Sequence, residues 1–465
     1  VAGFTHLNQH TLTRVYIRDE TVLALLLDEG VDVWTDRFGV GKSVKALVSS
    51  EMMLRFQDTG VDFTVLERDI RTDAISETNL RALSTDFFNS YRSYPEIVTR
   101  LQEYETQYSA TFVPSIGKSI EGQDIAALRF GLRTAADGVQ IPTIFLSCGQ
   151  HAREWIGPAA CMWLTEQLLT SDPSQAEQHK FLQRYQFVVV PVVNPDGYQY
   201  SRSGNRFWRK NRRPLSGGNY GVDLNRNFGF HWGEAGAIFA QNSEQYCGTA
   251  GFSEPESAAL RDFVALLESQ GAVIEGGLDL HSYGEIIYYP WGWAQQSVAK
   301  PDNLEDVVRV SQEIADAMRA VHGMDYTIEH AAQYAPYPGG CDDWFASFSR
   351  KHIGLTIELR DTGDHGFDLP ADQIVPTSQE ALAGVMAFVR HIDALNGGTA
   401  AAEPKTPGSS TTIIVAVVVT VVAVAAAAVG AVAFMRARHR RRLVGRRLEQ
   451  GPTYQLPEAL DDDDF

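Results

Sequence analysis

Cysteine is scarce in this chain, with four in 465 residues, too few for a fold built mainly on disulfides. No Asn-X-Ser/Thr sequence occurs, so N-glycosylation is not expected. Basic charge is also short: residues 1–412 hold 33 Lys and Arg against 52 Asp and Glu, and the one dense basic cluster lies near the C-terminus. This excludes a typical nucleic-acid partner, whose phosphates demand grouped cations. Long apolar runs are absent with one exception, residues 413–435. The chain opens on Val1 in a polar stretch without an initiator Met or a signal peptide. A signal sequence removed or omitted is therefore expected.

The exceptional run has only Thr420 and Gly430 as interruptions, and at about 1.5 Å per residue it reaches roughly 34 Å, enough to cross a bilayer. Seven Arg and one His follow between Arg436 and Arg447, and such an excess marks the cytoplasmic side. The sequence thus predicts a single transmembrane helix over 413–435 and a cytoplasmic tail over 436–465. Residues 397–412, mostly Gly, Ala, Pro, Ser and Thr, read as a flexible stalk. The larger part of the chain should face the secretory lumen or the cell exterior.

Along the first eighty or so residues the pattern is strand (13–18), helix (20–29), strand (31–36), strand (43–48), helix (50–60) and strand (61–67), the order of a ferredoxin-like α+β unit. Ser49 or Ser50 can cap the second helix and Gly60 can end it. The stretch from Arg68 to Leu83 is polar, with Arg68, Arg71 and Arg81, and reads as an exposed connector open to a trypsin-like protease. From Ser84 onward, apolar strand runs alternate with longer helical segments, which predicts one α/β domain over 84–396 with a mixed sheet covered by helices on both faces.

Chemistry in such a domain is expected where strands end in loops. After the apolar run TIFLSC come His151 and Glu154, three residues apart, and His281 follows the run LDL. Two His and one Glu leave a fourth tetrahedral position open, the catalytic arrangement of zinc.

The blocks HAREW (151–155), NPDGY (194–198), RFWRKNR (206–212), VDLNRNF (222–228), LDLHSY (278–283) and ELRDTGDHGF (358–367) together resemble the zinc carboxypeptidases of the pancreatic A/B type, in the same order. The resemblance covers about residues 84–395, and residues 1–83 look like that family's activation prosegment. It implies the carboxypeptidase fold, a mixed sheet of the eight-stranded type, with one zinc ion held by His151, Glu154 and His281. It makes Glu358 the general base and Arg209 the cation for the developing oxyanion. Asn225 and Arg226 match the clamp for a substrate's terminal carboxylate, which suits a planar two-pronged donor. Arg153 looks like a further cation on the substrate side, and Asp223 is expected to orient His151. The implied substrates are peptide and protein C-termini, and the implied activator is a trypsin-like protease.

The resemblance also places Asp342 at the floor of the side-chain pocket, which in this family means preference for C-terminal Lys or Arg. A competing reading has Asp342 or Asp343 capping a helix that begins near Trp344. The tyrosine that closes over substrate aligns best with Tyr334, given one inserted residue, and Tyr337 is the alternative. Cys148 and Cys161 match a disulfide of B-type relatives, while Cys247 and Cys341 can pair or stay free. A binding module that kept the fold without activity, and a zinc amidohydrolase acting on acylated amino acids, remain open as other readings.

Overall fold

The computed structural model of the protein describes residues 9–35, 37–71, 87–133, 140–172 and 176–397. In the N-terminal lobe, β1 (Gln9–Tyr16), α1 (Glu20–Asp28), β2 (Asp32–Val33), β3 (Ser43–Ser49), α2 (Ser50–Thr59) and β4 (Phe63–Arg71) build a four-stranded antiparallel sheet of order β2-β3-β1-β4. Each helix starts at a residue that can accept from its orphan amides. Asp19 accepts from the amides of Thr21 and Val22, both at 3.0 Å. Ser49 accepts from Met52 at 3.1 Å, and Gly60, at φ 66°, ends α2. Val15, Ile17, Val22, Leu26, Val44, Ala46, Val48 and Phe56 form the lobe's core.

Two expectations change here. The strand expected over 31–36 pairs only at Asp32 and Val33. After one further backbone bond, from the Trp34 amide to the Lys45 carbonyl at 2.8 Å, the chain leaves the sheet as Trp34, Arg37 and Phe38 become buried, with Trp34 against Phe207 and Phe367 of the larger unit. The last strand runs on to Arg71, into the stretch read as connector, since Ile70 and Arg71 pair with His10 and Gln9. The rest of that connector, residues 72–83, lies outside the described residues.

The larger unit is built on β5 (Ala110–Val113), β6 (Ala127–Gly131), β7 (Ile141–Cys148), β8 (Gln186–Val190), β9 (Ala272–Ser282), β10 (Ile286–Tyr289), β11 (Thr327–His330) and β12 (Gly354–Leu359). Their order is β11-β10-β12-β9-β7-β8-β6-β5. The central strands β8, β7, β9 and β12 are mutually parallel, and β6 and β10 join them antiparallel on either side. Alternation along β7 shows why both faces need cover. Ile144, Leu146 and Cys148 enter one core with residues of α3 (Tyr94–Gln107), α4 (Ile156–Leu169), α8 (Leu304–His322) and α10 (Ile374–Leu395), while Phe145 enters the other. That second core is closed by α7 (Pro255–Ser269) and α9 (Cys341–Phe348), and the shorter α5 (Ala176–Arg184) and α6 (Pro195–Ser203) come between α4 and α7 along the chain. A large apolar side chain buried there contributes about 1.5–3 kcal/mol.

Among the described residues no helix is long and apolar enough to cross a membrane. The expected span 413–435, the tail 436–465 and all of the stalk except Gly397 lie outside them.

Candidate active site

Three adjacent parallel strands bring the candidate ligands together. His151 and Glu154 lie in the loop after β7, His281 is the penultimate residue of β9, and Glu358 is the penultimate residue of β12. Glu358 and His281 are register partners, so their side chains leave the sheet on the same face. His151, Glu154 and His281 are buried and form a metal-sized cluster, with one ligand atom from each within 4.8 Å of the others. Nδ1 of His151 lies 2.8 Å from Oε1 of Glu154, and Nδ1 of His281 lies 2.9 Å from Oε2 of Glu154 and 3.0 Å from Nδ1 of His151. A tetrahedral ion with bonds of roughly 2.0–2.1 Å spaces its ligand atoms roughly 3.3 Å apart, so the donor set fits zinc.

Each imidazole turns its other nitrogen to a carboxylate. Nε2 of His151 meets Asp223 at 3.0 Å, and Nε2 of His281 meets Asp279 at 2.7 Å. Asp279 went unrecognised in the sequence, although its place two residues before His281 on one strand is the available signal. Burial acts to raise the Glu154 carboxyl, but the charges of His151 and His281 and their hydrogen bonds outweigh it and hold it at about 2. Burial acts in the same way on Asp223, where the Arg209 guanidinium and then His151 prevail and hold it well below the carboxylate range. Carboxylates packed around two imidazoles form a site that favours a cation between them.

Arg209 is buried and turned onto Asp223, with Nη2 at 2.9 Å and another nitrogen 3.8 Å from Glu154. Asn225 and Arg226 follow Asp223 directly. The Oδ1 of Asn225 accepts from the amide of Cys341 at 2.8 Å, which pins this segment to the start of α9. Gly339, at φ 82°, passes so close that a Cβ there would lie 2.4 Å from the Arg226 carbonyl oxygen, and only glycine tolerates both conditions. Arg153 is held by the N-terminal lobe: its Nη1 donates to Asp32 at 2.6 Å, and Phe367 covers its guanidinium at 4.2 Å.

Asp342 is fully buried. Its Oδ2 accepts from Arg37 at 2.7 Å and from the Tyr337 hydroxyl at 2.8 Å. Neither Asp342 nor Asp343 supplies the expected side-chain cap of α9, whose N-cap is Gly340. Asp343 instead accepts from the amides of Gly292 and Trp293, at 2.8 Å each. Tyr337 is buried beside Asp342, whereas Tyr334 is half-buried, with Lys42 of the lobe 4.2 Å above its ring. A disulfide joins Cys148 to Cys161, and Cys247 and Cys341 are buried and unpaired. Asp32, Arg37, Tyr288 and Thr356 also meet at or beside this cleft, and no motif marked them.

The sequence profile described as zinc carboxypeptidase matches residues 97–384. A carboxypeptidase B of Astacus astacus is 37% identical over 310 residues, covering 66% of this chain and 98% of that protein. A carboxypeptidase B of Rattus norvegicus is 31% identical over 409 residues, covering 84% of this chain and 95% of that protein. The crystal structure of a carboxypeptidase A from Helicoverpa armigera superposes with a TM-score of 0.71 at 26% identity, over 83% of this chain and 98% of that one.

Proposed function

The chain belongs to the zinc carboxypeptidase family, and from that premise we propose that it releases C-terminal Lys or Arg from peptides and is made as a zymogen held inactive by its N-terminal lobe. It is a peptide hydrolase whose cofactor is zinc. The basic preference rests above all on one observation: a fully buried carboxylate, Asp342, already holds a guanidinium at 2.7 Å. A desolvated carboxylate with room for one cation discriminates strongly against apolar or acidic side chains.

His151, Glu154 and His281 would hold the zinc, which would supply Lewis acidity and lower the pKa of water to about 7. Glu358 takes the proton of the attacking water and passes it to the leaving amine. Its position near the end of a central strand keeps it rigid. Arg209 offers the cation for the carbonyl oxygen as charge develops there, and removing such a donor typically costs on the order of 3 kcal/mol of barrier. Asn225 and Arg226 take the terminal carboxylate, which restricts cleavage to the last residue of a chain. Tyr334 closes the cleft over substrate.

The zymogen reading is supported by the lobe's grip on Arg153 through Asp32 and by the burial of Trp34 against Phe207 and Phe367. The match to the rat protein covers 84% of this chain, more than residues 84–396 span, which is consistent with a shared N-terminal segment. A trypsin-like protease cutting between the lobe and the catalytic unit would free the site. The apolar run 413–435 and the Arg-rich segment behind it support a single-pass anchor with the catalytic unit outside the cytoplasm.

The deciding experiment incubates the trypsin-treated protein with peptides ending in Lys, Arg, Leu or Glu, and with acylated amino acids, in the presence and absence of a chelator. Chelator-sensitive release of single Lys and Arg residues is expected. Release of Leu or Glu at equal rates would overturn the basic preference, and cleavage of acylated amino acids alone would favour an amidohydrolase.

A further inference from the structure

We propose that Arg37 is a built-in mimic of a substrate's C-terminal arginine and that the pocket it fills is shaped for a guanidinium rather than an ammonium. The inference rests on the reading of Asp342 as the floor of the side-chain pocket and extends it to the walls and to the resident occupant. The Arg37 side chain is 2% exposed and Asp342 0%. One guanidinium nitrogen, Nη2, donates to Asp342 Oδ2 at 2.7 Å and to Thr356 Oγ1 at 3.2 Å. The guanidinium carbon lies 4.0 Å from the ring centroid of Tyr288 and 4.0 Å from that of Tyr337.

Two aromatic faces and a carboxylate are a receptor for a flat, weakly hydrated cation. A lysine ammonium is compact and strongly hydrated, cannot stack, and would reach the carboxylate only after losing water that these walls do not replace. The walls are held in place by backbone. The Tyr337 ring packs so tightly on Gly292 that a Cβ there would lie 2.1 Å from its Cζ, and the Tyr337 hydroxyl donates to the same Oδ2 that binds Arg37. Arg226, the candidate carboxylate clamp, stands 4.8 Å from the same ring, so Tyr337 touches both subsites that would read a terminal arginine.

Arg37 arrives on the segment that leaves the lobe's sheet after Val33. This segment is anchored on either side of Arg37 by Asp32 on Arg153 at 2.6 Å and by Lys42, 3.7 Å from Glu329. Between them Gly39 passes so close to Tyr334 that a Cβ would lie 2.6 Å from its carbonyl oxygen. The chain continues from Arg37 into Phe38, so Arg37 has no free carboxylate to offer Asn225 and Arg226. It therefore fills the side-chain pocket without presenting a terminal peptide bond for hydrolysis, and it excludes the substrates that the pocket prefers.

The test uses the full, uncut, zinc-loaded chain and two small cations, methylguanidinium and n-butylammonium. In Arg37→Ala, calorimetry should show methylguanidinium binding about 10-fold or more tighter than n-butylammonium, with neither bound by the uncut wild type. Equal binding of the two cations, or none, would overturn the inference. As a second arm independent of that variant's folding, the trypsin-cleaved wild type should favour terminal Arg over Lys in kcat/KM by about 10-fold. Tyr288→Leu should collapse that ratio and Tyr288→Phe should keep it; an unchanged ratio in Tyr288→Leu would also overturn the inference. If the cleaved wild type releases no basic residue at all, the proposed basic preference fails instead, and the two failures are distinguishable.

Discussion

Asp279 stands 2.7 Å behind the Nε2 of His281 and also accepts from Gln150 at 2.6 Å. With zinc bound, it would fix which imidazole nitrogen ligates and raise that ligand's basicity. Asp279→Asn should weaken zinc binding by about 10–100-fold, measured by competition with a chromophoric chelator. An affinity equal to the wild type's would show that Asp279 has no part in tuning the ligand.

Glu358 is placed by strand pairing with His281 and is not one of the clustered ligands. Glu358→Gln should retain one zinc per chain while kcat/KM falls by about 10²–10⁴-fold. If activity persists after this change, another group is the base.

Tyr334 and Tyr337 should separate by kinetics. Tyr334→Phe should raise KM more than it lowers kcat, as expected of a side chain that closes over bound substrate. Tyr337→Phe removes the hydroxyl that donates to Asp342, so its loss should fall on substrates with basic ends and leave the weak cleavage of apolar ends unaltered. Exchange of these two phenotypes would identify Tyr337 as the closing residue.

His330 on β11 carries a pH prediction. Burial first, and then the positive charge of Arg37, push its imidazole down to about 4, from an ordinary value near 6.5. A lowered histidine means that the unfolded chain binds the proton more readily. Its contribution to stability is present above about pH 6.5 and is lost as pH falls toward about 4. In uncut Arg37→Ala the His330 ring should titrate higher, as followed by NMR, and His330→Gln should flatten the loss of stability across that window. An unmoved titration in Arg37→Ala would show that the guanidinium is not felt there.

Much of this protein was written locally. Caps such as Ser49 and Gly60, alternation along β7, and the placing of His151, Glu154 and His281 at strand ends depend on residues within a few positions of one another, so they can be read along the chain. Strand order, the burial of Cys247 and Cys341, and the meeting of Arg37 with Asp342 and Thr356, some 300 residues away, depend on which distant surfaces press together. The run 31–36 illustrates the division. Its alternating pattern predicted a full strand, yet the ladder ends with the Trp34 amide bond to Lys45, because burying Trp34 and Arg37 against another unit outweighs one or two more such bonds. Sequence alone determined that two histidines and one glutamate suited to a metal fall where strands of a mixed sheet end. Only the tertiary structure decided that the pocket beside them already holds an arginine, because a buried charge chooses its partner by position in space and not by spacing along the chain.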